Sequence, residues 1–137
     1  ELFENPIFGA AIRRCHAFPV KRGASDRGAI KAAVAVLKEG RILGLFPEGT
    51  RSKTGELQKA EAGVALIAAM TGAPIVPVAI LNSHRIFANG GLIPQLRIMY
   101  GAPMSFQGDR KSKEALDIFS AEIMSHIAQM KDELSKM

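Results

Sequence analysis

The chain reads as an α/β domain with a mixed, largely parallel sheet, flanking helices and a long C-terminal helix. Three observations predict this. Runs at 41–46, 74–81 and 95–100 have strand length, and the first two are almost wholly apolar. Helical periodicity fills the intervals, and strand–helix–strand alternation makes βαβ units with parallel strands and right-handed crossovers. Residues 112–137 place Leu116, Phe119, Ile123, Ile127, Met130 and Leu134 at spacings of three and four, the apolar stripe of one helix.

Taken in order, residues 5–14 set Ile7, Phe8, Ala11 and Ile12 on one helical face and end in Arg13-Arg14, a pair that suits a helix C-terminus. Ala17-Phe18-Pro19-Val20 follows as a short strand, confined by its proline to a sheet edge. Lys21 and Arg22 come directly after it. Ser25 can cap a helix over 26–39 that carries Ile30, Ala33, Val34 and Leu37 on one face, with Gly40 as terminator. Residues 41–46 then form a buried central strand, ended by Pro47, which has no N–H for a ladder. A turn over 52–56 leads to a nearly apolar helix over 60–70, stopped by Gly72. Residues 74–81 are a second buried strand, in which Pro74 and Pro77 suit strand starts or bulges. A loop over 82–94, with Asn89-Gly90-Gly91 at its tip, precedes the strand over 95–100. The final stripe lasts barely three heptads, so it packs on the sheet and not in a coiled coil.

With 137 residues the chain is a single domain, 1–137, large enough for its own core. Its 47% hydrophobic and 23% charged residues exclude a disordered or fibrous class. A formal charge of +5 favours anionic partners: phosphate esters, an acidic membrane surface or nucleic acid. Cys15, the single cysteine, excludes an internal disulfide and reads as a packed thiol. No charged residue occurs from 62 to 84, but Gly72-Ala73-Pro74 divides that run into a helix and a strand too short to span a membrane. The start, Glu1-Leu2-Phe3-Glu4, is acidic and without methionine, so an N-terminally truncated domain is expected.

Chemistry is expected in Pro47-Glu48-Gly49-Thr50-Arg51-Ser52, the loop beyond the carboxyl end of the first apolar strand. Gly44 and Gly49 mimic the glycine spacing of a nucleotide P-loop, but Thr50 and Arg51 stand where its lysine and hydroxyl belong. Glu48 would also oppose a phosphate inside that nest. Arginine suits phosphate because its planar fork gives two parallel, charge-assisted hydrogen bonds. Glu48 then orients an arginine or accepts from a substrate hydroxyl. A salt bridge that merely ties the turn down fits the spacing equally well.

Phe46-Pro47-Glu48-Gly49-Thr50-Arg51-Ser52 resembles the signature block of the glycerolipid acyltransferase family. Phe18-Pro19-Val20-Lys21-Arg22 resembles the family's upstream block, and Ile75-Val76-Pro77-Val78-Ala79 its downstream apolar block. The link from Gly55-Glu56-Leu57-Gln58-Lys59 to Gly63 resembles the bacterial form, that of the 1-acylglycerol-3-phosphate acyltransferases. The resemblance spans roughly residues 2 to 105. It implies acyl transfer from acyl-CoA or acyl carrier protein to the free hydroxyl of lysophosphatidate, giving phosphatidate for phospholipid biosynthesis. No cofactor and no metal are implied; the thioester is a substrate.

The resemblance also places roles. Arg22 falls on the phosphate-contacting arginine, with Lys21 beside it; Glu48 and Gly49 fall on acceptor-binding positions, Thr50 and Arg51 complete that loop, and Pro77 shapes the acyl-chain wall. Expected partners are lysophosphatidate, the acyl thioester, acyl carrier protein as one donor, and the cytoplasmic face of a bacterial cell membrane. The chain departs from the family in one respect: its catalytic His-x-x-x-x-Asp block is missing. His16 is followed five residues later by Lys21, and His84, though five residues before Asn89, lies downstream of both blocks. His126 reads as a solvated or half-packed helix residue. The base is therefore expected upstream of residue 1, with little or no turnover by this chain alone and an exposed edge or apolar patch. The competing class is a non-enzymatic anion or nucleic-acid binder. One tyrosine, no tryptophan and phenylalanines mostly within apolar runs leave few platforms for stacking bases.

Overall fold

The computed structural model describes residues 10, 14, 17, 27–49, 57–61, 63–83 and 96–137. Among these, three helices and one two-stranded sheet follow in the order α1 (Arg27–Lys38), α2 (Gly63–Thr71), β1 (Val78–Leu81), β2 (Arg97–Tyr100) and α3 (Lys113–Lys136). The expected helix over 5–14 and the edge strand before Lys21 lie outside the described residues, except that Ala10 and Arg14 are helical.

The helices form for the reasons their sequences carry. α1 ends at Gly40, whose φ of +73° lets the Arg41 amide donate to the Val36 carbonyl and the Gly40 amide to Leu37. Both hydrogen bonds together are a Schellman cap, and a side chain at residue 40 would strain it. α2 carries no charge and packs against both α1 and α3, burying Ala65, Ile67 and Ala68. α3 starts at Ser112, whose hydroxyl accepts from the Ala115 amide at 3.2 Å, and it runs for 24 residues. Its expected stripe faces inward, with Phe119, Ile123, Ile127, Met130 and Leu134 buried and Leu116 packed on their edge. At the far end Arg97 donates from Nη1 to the Leu134 carbonyl at 3.0 Å, meeting one of the acceptors that every helix C-terminus leaves open.

The sheet differs from the expected one. β1 and β2 pair antiparallel, with Val78 opposite Tyr100 and Leu81 opposite Arg97, and no parallel pair occurs among the described residues. Pairing resumes at Ile75 and Met104, whose amides and carbonyls exchange hydrogen bonds of 2.7 and 2.8 Å. Between these pairs two residues on one side, 76 and 77, oppose three on the other, 101–103, so the register slips by one. That is a bulge on the 101–103 side, and Pro77 lies opposite it, directly before β1, at the strand start that a proline suits.

One face of the sheet packs on α3 through Ala79, Leu81 and Met99. The opposite face leaves Ile80, Ile98 and Tyr100 exposed, so β1 is buried on one side and not on both. Residues 41–46 depart further from expectation. They form no strand, and Ile42 is 96% and Phe46 82% exposed. An apolar run becomes a buried strand only where a neighbour supplies ladder partners and a covering layer, and none among the described residues does either. The apolar surface expected from the sequence is thus present, in residues 42–46 and on the outer sheet face.

Candidate functional site

Pro47, Glu48 and Gly49 form a turn closed by the Gly49 amide donating to the Phe46 carbonyl at 3.1 Å. Gly49 has φ +64°, the left-handed region where glycine is the undemanding occupant. No helix or strand carries this turn. It is held instead by residues 57–61, which lie alongside. The Gln58 amide donates to Glu48 Oε2 at 2.8 Å, and the Glu61 amide donates to the Pro47 carbonyl at 2.8 Å. A Cβ on Gly49 would stand 2.9 Å from Glu61 Cγ, so the missing side chain is what admits this close approach.

These contacts correct the expected start of the second helix. Residues 60 and 61 are not helical, and α2 begins at Gly63. The Glu61 amide is committed to Pro47, so the backbone is drawn toward the turn before it can wind. Gln58 and Glu61 were not singled out by sequence reasoning. The signal that could have found them is weak: a glycine in a signature loop implies that another segment approaches it, but not which one.

Pro77 lies 28 residues downstream of Gly49 and is buried. Its carbonyl accepts from the Gly101 amide at 2.9 Å, and a Cβ on Gly101 would meet Pro77 Cγ at 2.9 Å and Met130 Sδ at 3.0 Å. The methionine sulfur can swing aside; the proline ring, fixed opposite the bulge, cannot. Gly101→Ala is therefore expected to cost about 2 kcal/mol of stability through overpacking. Chemical denaturation checks this, and a midpoint equal to that of the unsubstituted chain would show that the bulge yields.

Lys21, Arg22, Thr50 and Arg51, the four further site residues expected from the sequence, lie outside the described residues, as do Cys15, His16 and His84. Of the named site residues the described part therefore shows Glu48, Gly49 and Pro77. His126 is exposed on α3, as expected. No group of three or more His, Cys, Asp or Glu among the described residues is arranged to hold a metal ion. Among the same residues no helix is long and apolar enough to cross a membrane.

Comparison with known proteins bears directly on this loop. The sequence model of the Acyltransferase family matches residues 1–81, a span that contains every site residue named above. A protein of Bacillus subtilis named 1-acyl-sn-glycerol-3-phosphate acyltransferase is 33% identical over 143 residues, covering 100% of this chain and 68% of the relative. One of the same name from Streptococcus pneumoniae is 33% identical over 137 residues, covering 97% of this chain and 49% of the relative. The crystal structure of the 1-acyl-sn-glycerophosphate (LPA) acyltransferase PlsC from Thermotoga maritima superposes with a TM-score of 0.72 at 25% identity. That match covers 99% of this chain and 54% of the other. The chain thus spans between about half and two thirds of the length of these relatives. The family match and these relatives agree with the signature loop around Glu48, and on these grounds the chain belongs to the acyltransferase family.

Proposed function

We propose that this chain is the acceptor-binding part of a 1-acylglycerol-3-phosphate acyltransferase. The free hydroxyl of lysophosphatidate attacks the carbonyl carbon of an acyl thioester; a C–O bond forms, the C–S bond breaks, the hydroxyl proton leaves to a base, and the thiolate leaves protonated. The products are phosphatidate and a free thiol. Family membership supports this reading, and the observation that carries it is the Pro47–Gly49 turn: this part of the signature sequence is held in a defined shape by residues distant in the chain.

Arg22, with Lys21 beside it, and Arg51 supply the positive charge that a phosphate monoester needs, since guanidinium binds it through paired, charge-assisted hydrogen bonds. Glu48, Gly49 and Thr50 shape the loop on which Arg51 stands. Pro77 and the apolar residues of the bulge provide wall for a hydrocarbon chain. The donor is acyl-CoA or acyl carrier protein, the general base is assigned to no residue of this chain, and the reaction takes place at the cytoplasmic face of the membrane. A largely parallel sheet belongs to the same proposal.

The test is thiol release from acyl-CoA in the presence of lysophosphatidate, by this chain and by a chain extended upstream. Lysophosphatidate-dependent release by the extended chain, with little or none from the 137 residues alone, is the expected result. Absence of release from both, with acyl carrier protein thioesters also tried, would refute the activity and favour a non-enzymatic anion-binding role. Full activity in the 137 residues would refute the assignment of the base elsewhere.

A further inference from the structure

We infer that residues 58–61 are a strap that positions the acceptor loop, and that Glu48 serves acyl transfer through this strap and not by touching the acceptor. The inference rests on the proposed function for its consequence, and on the contacts of the turn for its geometry. Three contacts join the two segments: the Gln58 amide to the Glu48 carboxylate, the Glu61 amide to the Pro47 carbonyl, and the Glu61 side chain against the open side of Gly49. They bridge ten or more residues of sequence. Without them the turn follows an exposed stretch, 42–46, that has no packing of its own to fix it.

The strap has anchors at both ends. Leu57 packs against the core cluster, and beyond residue 61 the chain enters α2, where Ala65 is fully buried. The position of the turn is thus referred to the core through residues 57–65. Charge favours the same conclusion. A carboxylate aimed at a phosphate-binding site would repel the ligand, whereas one whose Oε2 accepts from a backbone amide is directed to a donor of the chain itself. Glu48 thereby holds the Pro47–Gly49 turn, with its carboxylate engaged by the strap. In these terms Gln58 and Glu61 are positioning residues, and so is Glu48.

The variants that test this act on one contact each. Glu48→Ala removes the acceptor oxygen, Glu48→Gln keeps one, Gln58→Pro deletes the amide N–H together with the glutamine side chain, and Glu61→Ala removes the Cγ that faces Gly49. Assayed in the extended chain, Glu48→Ala and Gln58→Pro should each raise the KM for lysophosphatidate about tenfold, the effect of one charge-assisted hydrogen bond. The KM for the acyl donor should stay unchanged, and the double variant should be no worse than either alone. Glu48→Gln should recover most of the loss. Gly49→Ala should be partly relieved by Glu61→Ala, a cycle that stands even if Gln58→Pro fails to fold.

Amide hydrogen exchange gives a readout that needs no turnover. In Glu48→Ala the Gln58 amide should exchange about tenfold faster, while the Ala65 and Ala68 amides of α2 keep their protection. Unchanged exchange at Gln58 would overturn the strap whatever the enzyme does. Equal damage from Glu48→Gln and Glu48→Ala with a harmless Gln58→Pro would show that the carboxylate meets the acceptor directly. If no form transfers acyl groups, the proposed function fails on its own, and the exchange result still decides the strap.

Discussion

Replacing Ile123 by alanine should lower the unfolding free energy by about 3 kcal/mol, within the range for deleting a buried aliphatic side chain. Ile123 sits at the middle of α3, is 2% exposed, and is the bulkiest side chain so completely enclosed. Its core cluster includes Ala65 and Ala68 of α2 and Ala79 of β1. These neighbours already have the smallest side chains that still carry a Cβ, so they cannot swing inward to fill the space. Phe119 is further constrained by its edge-to-face contact with Phe106, at a centroid distance of 5.5 Å. The cavity therefore stays open, and its cost adds to the lost transfer energy. Denaturant titration with an unchanged slope would read the loss directly. The control lies on the same helix: Ile118 is 62% exposed, and Ile118→Ala should fall within about 0.5 kcal/mol of the unsubstituted chain. Equal effects at the two positions would mean that α3 does not seat on the sheet as described.

The second large effect is on catalysis. Arg22→Ala should lower kcat/KM for lysophosphatidate about a hundredfold in the extended chain, since paired hydrogen bonds to an ionised phosphate are each worth about 1.5–3 kcal/mol. Most of the loss should appear in the acceptor's KM, because the phosphate is remote from the hydroxyl that reacts and is bound before and during the reaction alike. Arg22→Lys should restore the charge but not the planar fork, and so recover only part of the loss. Lys21→Ala should be milder, as expected of an accessory point charge. This expectation stands on the upstream sequence block and the family match, which covers residue 22. An acceptor KM untouched by Arg22→Ala would remove this residue from the site.

The outcome of the sequence reading can be followed element by element. Ser112 and the stripe from Leu116 to Leu134 announced α3, and its cap and buried face are as expected. Gly40 and Gly72 marked the ends of α1 and α2, and both close with hydrogen bonds to the last helical turn. Pro77 in an apolar run pointed to a strand start or an interruption in the ladder, and it directly precedes β1, across from the bulge at 101–103. The apolarity of 41–46 misled, because hydrophobic composition states a need for cover without supplying it. In the described residues Ile42 and Phe46 remain in contact with water. The expected parallel sheet shares that cause: alternation of elements carries no information on pairing direction when the strand that would report it is unpaired.

The candidate site divides along the same line. Local order along the chain was enough to select Glu48 and Gly49 as a loop with chemistry, because the proline that closes the apolar run, the glycine and the carboxylate stand within a few residues of one another. It was enough, too, to place the chain in its family. What it left open was whether Glu48 pairs with an arginine, meets a substrate or ties down its own turn. The tertiary structure decided that Glu48 accepts from the Gln58 amide, and it brought Glu61 against Gly49. The Gln58 amide on Glu48 and the Glu61 amide on the Pro47 carbonyl are contacts across ten or more residues, made by N–H groups that every residue but proline carries. Such donors leave no mark in the identity of the residue, and so only the folded chain reveals them.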